Sequence, residues 1–285
     1  MRLCRFANGG DRANIGAIID DQTVVDLSPA GINRMELLLT ADDPVARVKS
    51  LVHDRLPRHE LSGLRLLAPV DHQEVWAAGV TYLRSKAARM EESDFSATAY
   101  DRVYSAARPE IFFKSIGEKV VATGDAVGIR SDAKWNVPEP ELALVLNSRG
   151  AVVGYTVGND MSSRDIEGEN LLYLPQAKVY DRSCALGPWI VLGPSESEAR
   201  QWMIRIRIER GGQEVFSGET SVSQIKRSFG ELAGYLFRSQ KFSNGVVLLT
   251  GTGVVPPESF TLAAEDVVTI DISGIGTLRN RVIVV

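Results

Sequence analysis

The chain has 285 residues, of which 44% are hydrophobic and 24% charged, so it is long enough for a sizeable core and has the composition of a folded protein. Its 32 Lys and Arg against 36 Asp and Glu give a net charge of −4, which argues against a dedicated nucleic-acid binder. No apolar run approaches the roughly 20 residues that span a bilayer, and the first residues, MRLCRFANGG, lack the apolar core of a signal peptide. We therefore expect a cytoplasmic protein with no membrane or nucleic-acid partner.

The first part of the chain alternates short strand-like runs with turns. LCRFA, IGAIID and TVVDL predict strands, because Asn-Gly-Gly and Asp-Asp separate them. The run MELLLTADDPVARVKSLV predicts a helix that is interrupted at Pro44. Strand-like sequence returns near Leu67, so we predict a small α+β domain over residues 1–66 and a larger domain over residues 67–285.

The larger domain is rich in predicted strands. EIFFK, ELALVL, AVVGYTVG, GPWIVL, MIRIRIER and DVVTIDIS are strand-like, whereas Ser221–Ser239 has the apolar spacing of an amphipathic helix. Residues 84–104 have a charged, helix-like composition, and an ordered helix and a lid both remain open for them. Many strands with few helices and no regular βαβ alternation favour a β-rich α+β fold, with rolled or sandwiched sheets, over a Rossmann fold or a TIM barrel.

Residues 137–160, VPEPELALVLNSRGAVVGYTVGND, predict a hairpin with an acidic end. Glu139 and Glu141 share one face of the first strand because strand side chains alternate. Leu142, Leu144 and Leu146 lie on the other face, which suits a core. After the turn at Asn147 the second strand returns, so that Asp160 arrives beside both glutamates. With no Lys or Arg between them, three carboxylates would repel one another unless a cation binds. Oxygen ligands without His or Cys favour Mg²⁺, with Mn²⁺ or Ca²⁺ as alternatives; a solvated strand edge is the competing interpretation.

Four motifs in order resemble the fumarylacetoacetate hydrolase family: ARPEIFFK (107–114), PEPELALVL (138–146), GYTVGNDMSSRD (154–165) and KVYDRSCALGPWIV (178–191). The resemblance covers roughly residues 74–285. It implies a β-rich roll or sandwich with a divalent-metal site, which makes the larger domain the catalytic one. Within the family, EGENLLYLPQAK (167–178) is similar to one branch, the 2-keto-3-deoxy-D-arabinonate dehydratases.

The resemblance implies roles for nine residues. The metal ligands would be Glu139, Glu141 and Asp160. The catalytic residues would be Glu110 and Lys178. Substrate contacts are implied for Tyr82, Lys114, Arg164 and Thr252. Hydrolases of the family carry a histidine three residues after the tyrosine that matches Tyr82, and here Ser85 stands in its place. Because a serine cannot act as a general base near neutral pH, this departure weakens the hydrolase interpretation.

The branch resemblance implies a Mg²⁺-dependent hydro-lyase of pentose catabolism. It would convert a 2-keto-3-deoxy pentonate (2-dehydro-3-deoxy-D-arabinonate or xylonate) to 2,5-dioxopentanoate, with the acid and base roles of Lys178 and Glu110 interchangeable. The alternative is an acylpyruvate-type C–C hydrolase, decarboxylase or isomerase of a related 2-oxo acid, and a third hypothesis is a non-catalytic metal-binding module. The expected partners are the 2-oxo acid and further copies of the chain in a homodimer or homotetramer.

Overall fold

The computed structural model describes residues 1–10, 12–82 and 102–285. Residues 84–101 lie outside the described residues. They include Ser85 and the greater part of the charged stretch 84–104. The strands are β1 (Arg2–Ala7), β2 (Asn14–Ile18), β3 (Thr23–Asp26), β4 (Arg58–Glu60), β5 (Arg65–Leu67), β6 (Glu74–Gly79), β7 (Glu110–Ser115), β8 (Ala126–Ile129), β9 (Asn136–Val137), β10 (Pro140–Leu146), β11 (Val152–Asp160), β12 (Ser162–Ser163), β13 (Cys184–Leu192), β14 (Met203–Arg210), β15 (Gln213–Ser221), β16 (Val246–Leu249), β17 (Val267–Ile272) and β18 (Gly276–Val284). The α-helices are α1 (Glu36–Leu39), α2 (Pro44–Leu51), α3 (Arg164–Glu169), α4 (Leu174–Lys178), α5 (Glu196–Ala199) and α6 (Phe229–Leu236).

Two sheets form most of the structure. The larger has eleven strands in the order β4-β3-β2-β1-β13-β11-β10-β16-β6-β7, with β5 paired to β1, and the smaller has the order β15-β14-β17-β18-β8. Along β14 the isoleucines are buried while Arg205 and Arg207 are exposed, which is typical of an antiparallel sheet with one face on a core. Ile206 of the smaller sheet and Leu144 of the larger belong to one core. The predicted β-rich α+β roll or sandwich is confirmed.

The predicted hairpin lies near the middle of the larger sheet. β10 pairs with β11 on one side and with β16 on the other, and all of its residues are buried. Leu142 and Leu144 face the core shared with the smaller sheet, whereas Ala143 and Val145 face a second core on the opposite side of the sheet. The alternation of side chains along β10 therefore directs successive residues into two different cores.

The amino-terminal segment extends the larger sheet. β1 pairs with β13, and Leu3 of β1 and Leu38 of α1 belong to the same hydrophobic core as Val145. The division into residues 1–66 and 67–285 stays a prediction, and its two parts share a sheet and a core.

The break in the first helical run falls where the sequence places it. α1 ends at Leu39, and α2 begins at Pro44 after Asp43, whose side chain accepts a hydrogen bond from the Ala46 N–H at 2.9 Å. Proline suits this first helical position because its missing N–H would have no partner within the helix there. In the described ranges, no helix is long and apolar enough to cross a membrane.

The helix predicted over Ser221–Ser239 is wrong in its extent. β15 continues to Ser221, a 3-10 turn follows, and only Phe229–Leu236 form α6. Ser228 caps the amino terminus of α6, because its hydroxyl accepts a hydrogen bond from the Glu231 N–H in the first turn. Ile225 lies before the helix and is nevertheless buried. Its helical spacing therefore reflects burial in the preceding turn and not membership of the helix.

Candidate active site

The hairpin brings its three acidic side chains together. Pro140 pairs with Asn159, and the Asp160 N–H donates to the backbone carbonyl of Glu139 at 3.0 Å. One carboxylate oxygen each from Glu139, Glu141 and Asp160 lie within 4.8 Å of one another, and each residue is 2% exposed or less. We call these three residues the acidic cluster.

Two lysines contact the acidic cluster. Lys178, at the end of α4, donates to Glu139 Oε2 at 2.6 Å, and its Nζ lies 3.3 Å from Asp160 Oδ2. Lys114, on β7, lies 2.5 Å from Asp160 Oδ1. The expectation that no Lys or Arg lies between the carboxylates is therefore wrong. Both lysines come from elements outside the β10–β11 hairpin, and both are 1% exposed or less. Because they contact the carboxylates directly, they offset part of the repulsion among them.

Arginine adds a third cation beside the acidic cluster. Arg164 is the first residue of α3, and its Nη2 lies 2.5 Å from Glu139 Oε1. Its Nε is 3.9 Å from an oxygen of Glu167, which is also buried. Arg164 and Lys178 thus each contact a different oxygen of Glu139.

Glu141 has different surroundings from the other two acids. Its Oε2 accepts a hydrogen bond from the backbone N–H of Gly251 at 2.6 Å. Burial, together with the charges of Asp160 and Glu139, raises the pKa of the Glu141 carboxyl well above its usual value, which Lys178 and the Gly251 N–H only partly offset. A cation bound at the acidic cluster would counter the repulsion from Asp160 and Glu139 and favour the ionised form of Glu141.

The carboxyl group of Glu110 fits against β6 because a glycine lies opposite it. Gly79 of β6 pairs with Glu110 of β7, and a Cβ added to Gly79 would lie 1.9 Å from Glu110 Oε2. The carboxyl group of Glu110 therefore lies across the backbone of β6. Glu110 and Glu167 line a recess together with Leu171 and Leu174.

A narrow cleft lies against the acidic cluster. Its other walls are provided by Lys178, Phe112, Val80, Gly251 and Thr252. The Phe112 ring centre lies 5.8 Å from Lys178 Nζ. Thr252 lies on the cleft wall, and its contact with the substrate stays a prediction.

The other residues implied as substrate contacts lie deeper. Tyr82 is fully buried in the core, where its ring packs against Gly253. Lys114 is enclosed and donates to the backbone carbonyl of Met161 at 2.9 Å, and Arg164 is engaged with Glu139. The structure brings these side chains to the acidic cluster or behind it and not to the cleft wall.

Sequence reasoning missed three participants. Ser162 accepts a hydrogen bond from Lys178, Gly79 makes room for Glu110, and Gly251 donates to Glu141. Ser162 lies within the motif that contains Asp160, so that motif could have indicated it. Nothing in the sequence TGTG (250–253) shows that a backbone N–H is the active group.

The acidic cluster fits a small, hard divalent cation. Its ligand atoms are carboxylate oxygens, which Mg²⁺, Mn²⁺ and Ca²⁺ prefer, and it is the one buried group of this kind among the described residues. Burial, and after it the negative charges of Asp160 and Glu139, raise the pKa of Glu141, and Lys178 offsets only part of this.

Residues 74–283 match the model of the fumarylacetoacetate hydrolase C-terminal domain. This chain belongs to the fumarylacetoacetate hydrolase family. It is 44% identical over 270 residues to "Probable 2-keto-3-deoxyxylonate dehydratase" of Haloferax volcanii, covering 95% of this chain and 89% of the relative. It is 38% identical over 287 residues to 2-dehydro-3-deoxy-D-arabinonate dehydratase of Saccharolobus solfataricus, covering 99% and 96% of the two chains.

A solved member of the family resembles the whole structure. It is 2-keto-3-deoxy-D-arabinonate dehydratase complexed with magnesium and 2,5-dioxopentanoate, with a TM-score of 0.83 and 34% identity, covering 100% of this chain and 99% of the other. The family membership expected from the four sequence motifs is confirmed.

Proposed function

We propose that this protein is a Mg²⁺-dependent dehydratase that converts a 2-keto-3-deoxy pentonate to 2,5-dioxopentanoate in pentose catabolism. The observation that carries the proposal is the buried acidic cluster at a cleft, with Lys178 Nζ 2.6 Å from Glu139. Its support from the comparisons is the likeness over nearly the full chain to dehydratases of such sugar acids. That the enzyme works in the cytoplasm, as a homodimer or homotetramer, stays a prediction.

Glu139, Glu141 and Asp160 would hold the metal ion. Mg²⁺ bound there supplies Lewis-acid stabilisation of negative charge on the 2-oxo oxygen of the substrate. This assignment fits hard carboxylate ligands that are buried and only partly neutralised.

Lys178 and Glu110 would divide the proton transfers. One group removes a proton from C3, and the C4 hydroxyl leaves with a proton from the other group, so that water is lost and a double bond forms between C3 and C4. Proton shifts within this product then convert the C5 carbinol to the aldehyde of 2,5-dioxopentanoate. Lys178 is our candidate base, because its Nζ lies at the cleft beside the acidic cluster, and Glu110 is our candidate acid.

The remaining residues would orient these groups. We propose that Thr252, on the cleft wall, contacts the substrate. Lys114 and Arg164 are better placed to fix Asp160 and Glu139, and Tyr82 to support the cleft from the core.

A substrate panel tests the proposed function. Purified protein is given both enantiomers of the 2-keto-3-deoxy pentonate, which differ at C4, with acetylpyruvate and oxaloacetate as the alternative 2-oxo acids, and 2,5-dioxopentanoate formation or substrate loss is followed. We expect rapid dehydration of one enantiomer, abolished by EDTA and restored by added Mg²⁺. Preferential cleavage of acetylpyruvate or turnover of oxaloacetate would instead support the hydrolase, decarboxylase or isomerase alternative, and dehydration that resists EDTA would contradict the metal assignment.

A further inference from the structure

Two neighbouring parallel strands end at the cleft, and the segments after them interlock. Leu249 of β16 pairs with Ala77 of β6, so residues 80–82 and 250–253 leave the sheet side by side. The hydroxyl of Thr81, which is 1% exposed, donates to the backbone carbonyl of Thr250 at 2.6 Å. Val80 beside it has a φ of 52°, a conformation that costs free energy for a β-branched residue and persists only when its surroundings hold it.

The bond from Thr81 reaches the acidic cluster through one peptide group. The Thr250 carbonyl and the Gly251 N–H are opposite ends of the same planar unit. Thr81 binds the carbonyl end, and the N–H end donates to Glu141 Oε2 at 2.6 Å. Rotation of this peptide would break both hydrogen bonds together.

The packing around Gly251 leaves little room for such a rotation. Its φ is +88°, and an added Cβ would lie 2.2 Å from Thr81 Oγ1. Thr250 is also tied to the strand of Glu141, because its N–H and its hydroxyl both donate to the Leu142 carbonyl, at 3.1 and 2.8 Å. In the described part of the chain, the Gly251 N–H is the hydrogen-bond donor to the Glu141 side chain, whereas cationic side chains hold Glu139 and Asp160.

We propose that Thr81 is a positioning residue for the metal site, because it fixes the 250–251 peptide whose N–H orients Glu141. The inference rests on the proposed function in one respect, that Glu141 is a metal ligand. Groups that orient a ligand from behind typically change metal affinity by about 10–100-fold when removed. Thr81 touches neither the metal nor the substrate in this account.

The test is the dissociation constant for Mn²⁺, measured by electron paramagnetic resonance without substrate. Thr81→Val replaces the hydroxyl by a methyl group that cannot donate to the Thr250 carbonyl, and Thr81→Ser keeps the hydroxyl. Thr156→Val is the matched control, because Thr156 is equally buried in the same sheet and its hydroxyl donates to the Gly187 carbonyl at 3.2 Å. We expect Thr81→Val to bind Mn²⁺ about tenfold more weakly, with Thr81→Ser and Thr156→Val within about twofold of the wild type.

A second pair of variants tests the same contact from the other side. Gly251→Ala directs a methyl group at Thr81, and Gly124→Ala introduces the same backbone strain, at a φ of +87°, with no atom of the described residues within 4 Å of the added Cβ. Only Gly251→Ala should weaken Mn²⁺ binding, which keeps the inference testable if Thr81→Val does not fold. Wild-type affinity in folded Thr81→Val, or an equal loss in Thr156→Val, would overturn the inference. Because no turnover is measured, a protein that binds Mn²⁺ but dehydrates no pentonate would refute the proposed function alone.

Discussion

At the residue scale, Glu141 and Asp160 are both acids of the cluster but have different neighbours. Asp160 lies between Lys114 and Lys178, whereas Glu141 accepts a backbone hydrogen bond and has a raised pKa. Without metal, two lysines compensate a negative charge at position 160, whereas one at position 141 is only partly compensated. The same neutralising substitution should therefore affect the two positions in opposite directions.

We predict that Asp160→Asn destabilises the metal-free protein, by about 3 kcal/mol or more, because it leaves two buried lysines without their shared carboxylate. Glu141→Gln should leave the stability unchanged or raise it, because the amide oxygen still accepts from Gly251. Both should lose Mg²⁺ binding. Urea unfolding in EDTA at pH 7 measures the difference, and equal losses of stability in the two variants would contradict the prediction.

The pH dependence of this comparison has a defined sign. The folded-state pKa of Glu141 is raised above its usual value of 4.5, so ionisation at higher pH disfavours the folded state. The wild type should lose stability relative to Glu141→Gln as the pH rises above about 4.5 and through the raised pKa. Below that pH the carboxyl is protonated in both the folded and the unfolded states. The difference in unfolding free energy between the wild type and Glu141→Gln should therefore stop changing with pH.

Gly79→Ala should impair turnover without affecting the metal. The new methyl group would lie 1.9 Å from Glu110 Oε2, so the carboxyl must leave its position. Loss of one acid–base group typically lowers kcat by about 10²-fold or more, and we expect a fall of this order with unchanged Mg²⁺ affinity. Gly63→Ala is the control, because the added Cβ there has no atom of the described residues within 4 Å. A kcat within twofold of the wild type would show that Glu110 does not need this position.

At the element scale, the β10–β11 hairpin fixes the acidic cluster. A register shift by one residue would turn every side chain to the opposite face of the sheet, and pairing with β16 and β13 on either side prevents it. At the turn, the enclosed side chain of Asn147 accepts hydrogen bonds from the N–H groups of Arg149 and Ala151, each at 3.0 Å. The turn and the flanking strands therefore specify the same register.

We predict that Asn147→Ala lowers the free energy of unfolding by about 1 kcal/mol, because the N–H groups of Arg149 and Ala151 lose their acceptor within the turn. Mn²⁺ affinity should stay at the wild-type value, because the flanking strands still hold the register. Ser148→Ala, one residue further along the turn, is the control. Weaker metal binding in Asn147→Ala would mean that the turn itself sets the geometry of the acidic cluster.

Sequence reasoning succeeded for this hairpin and failed for the cations around it, for a physical reason. Alternation and turn residues act over a few positions, so the meeting of Glu139, Glu141 and Asp160 is encoded locally. Lys114 and Lys178 are 64 positions apart, and their approach depends on how β7 and α4 pack. No local sequence pattern indicates that the two lysines come together in space. The family resemblance indicated both lysines, but not that Lys114 would be enclosed behind Asp160.

At the scale of the whole molecule, one core joins the two predicted domains. Leu3 and Leu38 from the first 66 residues pack with Val145 and Leu249 of the larger part. We therefore predict a single cooperative unfolding transition, and Leu3→Ala should lower its midpoint without creating a second transition. Calorimetry measures this directly, and two separate transitions would show that residues 1–66 fold as an independent unit.

The central claim is that the acidic cluster and Lys178 together dehydrate a 2-keto-3-deoxy pentonate. The most direct test is the rate of 2,5-dioxopentanoate formation by Lys178→Met at saturating Mg²⁺ and substrate, on samples shown to bind the metal. We predict a loss of at least about 10²-fold, because the group beside the cluster that moves the C3 proton is gone. Dehydration at the wild-type rate would remove Lys178 from the mechanism and contradict the account.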